Sequence, residues 1–132
     1  MTLTELNLED AHGVWAVRSD ADVVYVVDTE RQLLLRQPGP TGRSIGGWDG
    51  CWVPLTRVVS EPTGEGLLTV GARTRWTVDP EPGEARSWTQ RACTSIDPVS
   101  ADAVPAGRTP DPDERWRSPS DLKWDAVRAD DD

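Results

Sequence analysis

A chain of 132 residues with 36% hydrophobic content is long enough for one domain with a buried core. Its net charge of −9 disfavours direct nucleic-acid binding, because phosphates would repel the chain, and the lack of a long apolar stretch excludes a transmembrane helix. There is no charged-then-apolar leader, so the expected location is the cytoplasm. The acidity is unevenly placed: residues 1–13 carry −3, residues 14–108 carry −2 and residues 109–132 carry −4. Thirteen of the fourteen basic residues are arginine, a bias of the coding sequence more than of the fold.

In chain order, residues 1–13 read as a lead-in, a short helix or irregular segment. Thr2 and Glu5 have capping-box spacing, although Leu6 and Leu8 also alternate as a strand would. From residue 14 to residue 97 the chain reads as a β-module. Trp15 and Val17 point one way, Ser19-Asp20-Ala21-Asp22 turns, and Val23-Val24-Tyr25-Val26-Val27 returns, which is a hairpin. The return strand is apolar on both faces and so belongs at the centre of a sheet or beneath a second covering element. Asp28-Thr29-Glu30 turns the chain into Leu33-Leu34-Leu35, which Pro38-Gly39-Pro40 stops.

A glycine-rich stretch then ends in Asp49-Gly50, the signal of a type I′ hairpin turn. In the following strand Cys51, Val53, Leu55 and Val59 share a face, and Pro54 requires an edge or a bulge because it has no amide donor. The clearest alternation puts Leu68, Val70, Ala72, Thr74, Trp76 and Val78 on one side, and Trp88, Ala92 and Ile96 can pair back against that row. The fold class is therefore mainly β: a small antiparallel meander forming a curled sheet or a partly open barrel of roughly SH3 size, with a C-terminal extended tail and short helix. Residues 98–114, with four prolines, read as a linker. Residues 115–132 form an acidic tail in which Ser118-Pro119-Ser120-Asp121 has helix-starting order and Leu122, Trp124, Ala126 and Val127 have helical spacing. A helix of about ten residues is marginal alone in water and forms against a surface, its own module or a partner.

No catalytic constellation stands out. His12 is the only histidine and reads as a surface residue; Cys51 and Cys93 read as core filler, with a disulfide between them left open. Residues 37–44 echo a phosphate-binding loop only loosely, since Gln37 and Arg43 stand where a glycine and a lysine belong. Catalytic, cofactor-binding and metal residues are accordingly none, and no small-molecule substrate is evident. Seven tryptophans remain. Trp15, Trp76 and Trp88 fall on inward registers, whereas Trp48, Trp52, Trp116 and Trp124 are candidates for contact with a partner, joined in the tail by Leu122 and Val127.

The order Trp15-x-Val17-x-Ser19, Tyr25-x-Val27-Asp28, Leu35-Arg36-x-Pro38-Gly39, Asp49-Gly50, Pro54-Leu55, Val70-Gly71 and Thr94-Ser95-x-Asp97 resembles small uncharacterised β-rich proteins of actinobacteria and their bacteriophages. The resemblance spans residues 14–97. It implies a bacterial or phage origin and a β-fold, and it assigns no activity. The leading expectation is a non-enzymatic protein-binding module that docks a protein partner, or a second copy of itself, through its tail. A structural virion component and an acidic antagonist of a nucleic-acid-binding host protein are the alternatives.

Overall fold

A computed structural model describes residues 3–39, 48–61, 64–81 and 83–108. Among the described residues ten strands carry the fold: β1 Glu5–Asn7, β2 Val14–Arg18, β3 Val23–Asp28, β4 Leu33–Pro38, β5 Trp52–Glu61, β6 Gly64–Glu65, β7 Leu67–Thr69, β8 Arg73–Val78, β9 Arg86–Gln90 and β10 Ser95–Val99. A 3₁₀ turn, Ala101–Ala103, follows. The main sheet is antiparallel with order β10-β2-β3-β4-β5-β8-β9, so the chain runs as a meander until β10 crosses back to pair with β2. Strands β9 and β10 are therefore neighbours in sequence at opposite edges of one curled sheet, which does not close into a barrel. No helix among the described residues is long and apolar enough to cross a membrane.

Local chemistry sets the turns. The Ser19 hydroxyl accepts from the Ala21 amide at 3.1 Å, and Asp28 Oδ1 accepts from the amides of Glu30 and Arg31, both at 3.1 Å. The β3–β4 turn closes with Gln32 at φ 55, the only described residue other than glycine in the left-handed region. Strand β3 lies between β2 and β4, the central position that its two apolar faces demand.

Several expectations are corrected here. Residues 5–7 form a strand and not a helix: Leu6 packs into the core, β1 pairs with β7, and Leu3 donates to the Ile96 carbonyl at 3.0 Å, so the N-terminal segment reaches from β7 to β10. The long alternating row of residues 67–78 is two strands, broken at Gly71, where φ is 93. A bulge between Leu55 and Arg57 shifts the register of β5, so that Val58 is buried where period 2 would place Val59. Pro54 stands beside that bulge. It faces Leu33 in a pair flanked by the Leu55 amide bond to Gln32, so its missing N–H leaves no gap in the β4 ladder. The linker begins later than residue 98, because Pro98 and Val99 belong to β10 and residues up to Arg108 are packed on the module. Ala92 is exposed and Ile96 pairs into β2, while Trp88 faces Trp76 as expected.

The concave side of the sheet holds the core. Tyr25 stacks on Trp76 with centroids 5.6 Å apart and planes 7° from parallel, and Trp88 tilts against the same tyrosine. A buried glutamine ties the two halves together. Gln90 Oε1 accepts from Trp76 Nε1 at 3.1 Å, and its Nε2 donates to the Val17 carbonyl at 2.9 Å, linking edge strand β9 to β2. Removing that side chain strands an indole N–H and a carbonyl away from water, each costing about 1–3 kcal/mol. Gln90→Leu is therefore expected to lose about 2–4 kcal/mol in urea unfolding, while Ser87→Ala on the exposed face of the same strand loses under about 0.5 kcal/mol.

Both cysteines are buried and are not joined by a disulfide, as core filler should be. Burial pushes the Cys93 thiol above its ordinary value of 9.0 and the nearby Asp97 charge adds to this, while a backbone hydrogen bond at Ser95 offsets it only in part. Since the folded pKa lies above the unfolded one, ionisation favours the unfolded chain as the pH rises past about 9. Stability is expected to fall between pH 8 and pH 10 in denaturant titrations, by less in Cys93→Ala, and a Cys93→Ala profile as steep as that of the parent would contradict this cause.

Candidate functional site

On the convex side of the sheet the cross-strand register aligns Asp97, Ala16, Val26, Leu35 and Trp52 in one row across five strands. A second row, Arg18, Val24 and Gln37, runs beside it. Ala16, Val26 and Leu35 are buried even though they face away from the core. Over Ala16 and Val26 the chain returns after β10, laying residues 100–108 along this face. Between that segment and the sheet lies a groove of about 470 Å³, with Ala16, Val24 and Val26 on its floor and Val99, Ala103 and Pro105 on its wall. Its rim is polar, formed by Gln37 and by Arg18, whose guanidinium lies 3.4 Å from the Asp97 carboxylate.

The returning segment is held by a clasp. Trp52 Nε1 donates to the Pro105 carbonyl at 2.9 Å, the Arg108 amide donates to the Gly50 carbonyl at 2.9 Å, and Arg108 Nε donates to the Asp49 carbonyl at 2.7 Å. Gly107 makes the close approach that this needs. Its φ is 77, and a Cβ there would come within 2.7 Å of the Trp52 ring.

The receiving end of the clasp is the turn at residues 48–51, in which the Cys51 amide donates to the Trp48 carbonyl at 3.1 Å. Only Gly50 has positive φ, so Asp49-Gly50 does not meet the type I′ requirement that both central residues do. The Gly50 amide donates to the Arg36 carbonyl at 2.8 Å, and the Asp49 carboxylate receives Arg36 Nη1 at 3.0 Å. Arg36 is fully buried on the concave side. Its Nε donates to the Tyr25 hydroxyl at 3.2 Å, and its guanidinium carbon lies 5.9 Å from the Tyr25 ring centre. Desolvating such a pair is costly, and the charge-assisted bond with the added hydroxyl offsets that cost.

Two sequence candidates change role. Trp48 is a core residue, only 8% exposed, because the Asp49–Arg36 bond folds its turn inward. Trp52 is partly buried and its indole N–H is spent on Pro105, so it anchors this chain's own segment. Trp116, Leu122, Trp124 and Val127 lie outside the described residues. Trp76 and Trp88 are buried as expected, whereas Trp15 is partly buried and donates to the His12 carbonyl. His12 is exposed, 3.7 Å from Glu30.

The sequence marks Asp49 only as a turn residue, and it points to none of Arg36, Asp49, Pro105 and Arg108 as a member of this site. The one available signal was period 2, which puts Arg36 on the same face as the core residue Leu34.

A second cleft, of about 230 Å³, lies between the β3–β4 turn and the β5 bulge. Of its charged residues, Asp28 is engaged in its own turn, and Arg57 with Glu65 at 2.9 Å. Among the described residues no group of three or more His, Cys, Asp or Glu could hold a metal ion.

Breaking the buried pair from either side takes a charge-assisted bond from a group that stays buried. Arg36→Met and Asp49→Ala are each expected to lose about 3–5 kcal/mol in thermal or urea unfolding. The double variant is expected to lose less than the sum of the two, and strict additivity would mean the pair does not act as a unit. Comparison of the chain with protein-family models, with curated proteins and with solved structures found no match.

Proposed function

We propose that this chain is a non-enzymatic protein-binding module in which residues 3–108 are the mount and residues 109–132 are the docking element. The clasp at Pro105 and Arg108 is the observation that carries this reading. A plain tether would need no fixed attachment. Here an indole donor, a backbone amide and a guanidinium fix the point from which the last 24 residues depart. Fixing that point shortens the free linker, which raises the effective concentration of whatever the segment carries near a bound partner.

The segment carries Trp116, Leu122, Trp124 and Val127 among eight acids and four bases. Large aromatics in an apolar seat supply most of the energy of small interfaces, and the surrounding acids favour a partner with arginine or lysine around that seat. The partner is therefore a protein surface with an apolar pocket and a basic rim.

Affinity capture with the full chain is expected to retain such a partner at raised salt, because aromatic burial is screened less than charge pairing. Trp116→Ala/Trp124→Ala is expected to lose it, by about tenfold or more in affinity. Capture that is undiminished in the double variant would sink the docking role of the tail.

A further inference from the structure

The clasp leaves part of the convex groove open. Its floor is apolar, with Val24 only partly covered, and its wall is the returning segment itself. Three features bear on what fills it. The chain already uses this face: residues 100–108 lie along it and are held by three hydrogen bonds. The clasp ends at Arg108, three positions past the groove-lining Pro105, so the last anchored residue is within about 11 Å of chain from the groove's wall. The remaining 24 residues place Trp116 eight positions and Trp124 sixteen positions beyond that anchor. Eight extended residues span up to about 26 Å, which is ample to turn back over the groove.

The rim fits as well. Arg18 is paired with Asp97 at 3.4 Å, so the rim is close to neutral and does not repel a segment whose acids include Asp113, Glu114, Asp121 and Asp125, and Gln37 adds a polar edge. An anchored segment meets a neighbouring site on its own chain at an effective concentration far above that of a second molecule in dilute solution.

We propose that the groove over Ala16, Val24 and Val26 is the seat of this chain's own residues 116–127, with at least one of Trp116 and Trp124 inserted. This deepens the reading of the tail as the docking element and rests on it for its consequence: the tail is held in reserve, and a partner competes with the groove for the same tryptophans. The contact is autoinhibitory.

The test uses the full-length chain labelled with ¹⁵N, at concentrations spanning about a tenfold range. Comparison with full-length Trp116→Ala/Trp124→Ala, which leaves every residue of the mount in place, is expected to shift the amides of Ala16, Val24, Val26 and Val99. At least one tail indole is expected to resonate away from the position of free tryptophan, and to return to it in Val24→Arg. Unshifted groove amides, or shifts confined to another face, overturn the proposal. Shifts that fade on dilution also overturn it, because they assign the groove to the tail of a second copy.

Capture separates the two readings. If groove and partner compete, Val24→Arg is expected to raise partner capture severalfold, and unchanged capture overturns the competition. Capture that ignores Trp116 and Trp124 defeats the proposed function, while the amide shifts still decide the groove.

Discussion

The buried ion pair between Arg36 and Asp49 is the constraint from which the rest of the convex face follows. It joins strand β4 to a turn that comes 13 positions later, and it does so inside the curl, beside Tyr25 and the stacked Trp76. An apolar pair of the same volume could stabilise that spot equally well, but it would have no direction. The carboxylate and guanidinium do have one. Bound inward through its side chain, Asp49 turns its carbonyl toward Arg108, and Gly50 does the same, so the interior pair fixes an acceptor site for the C-terminal segment.

A sheet that curls without closing has two edges to manage. Gln90 ties the β9 edge to β2 through the interior, β10 covers the outer side of β2, and the N-terminal strand reaches from β7 to Ile96. Each device joins residues far apart in sequence. The central strand β3 gains cover on both faces as a result: the concave core receives Tyr25 and Val27, and the returning segment shelters Val26 on the convex side. The demand that a doubly apolar strand be covered twice is what gives the C-terminal segment its place.

The candidate site was less legible than the fold. Asp49-Gly50 was visible as a turn, but its side chain's destination was not, because Arg36 gives no local sign of burial beyond its register with Leu34. Trp48 and Trp52 looked like equivalent aromatics flanking one turn. They differ because the ion pair folds the first into the core, whereas the second lies on the opposite face under Gly107. The proline-rich composition of residues 98–114 suggested a spacer, and proline is compatible with that. It is equally compatible with a strand at a sheet edge and with an extended segment that offers its carbonyls, which is how Pro98 and Pro105 are used.

Local pattern in the sequence determined the strands, the β2–β3 hairpin, the central place of β3 and the inward tryptophans Trp76 and Trp88, because alternation and turn chemistry act over a few residues. Tertiary structure alone decided the bulge that exchanges Val59 for Val58, the break at Gly71, the pairing of residues 5–7 and the clasp of residue 108 on residue 49. Those features depend on contacts between segments that no sequence window spans. Burial of a charge or the seating of a carbonyl is settled by which distant partner arrives, and only the folded chain brings that partner within 3 Å.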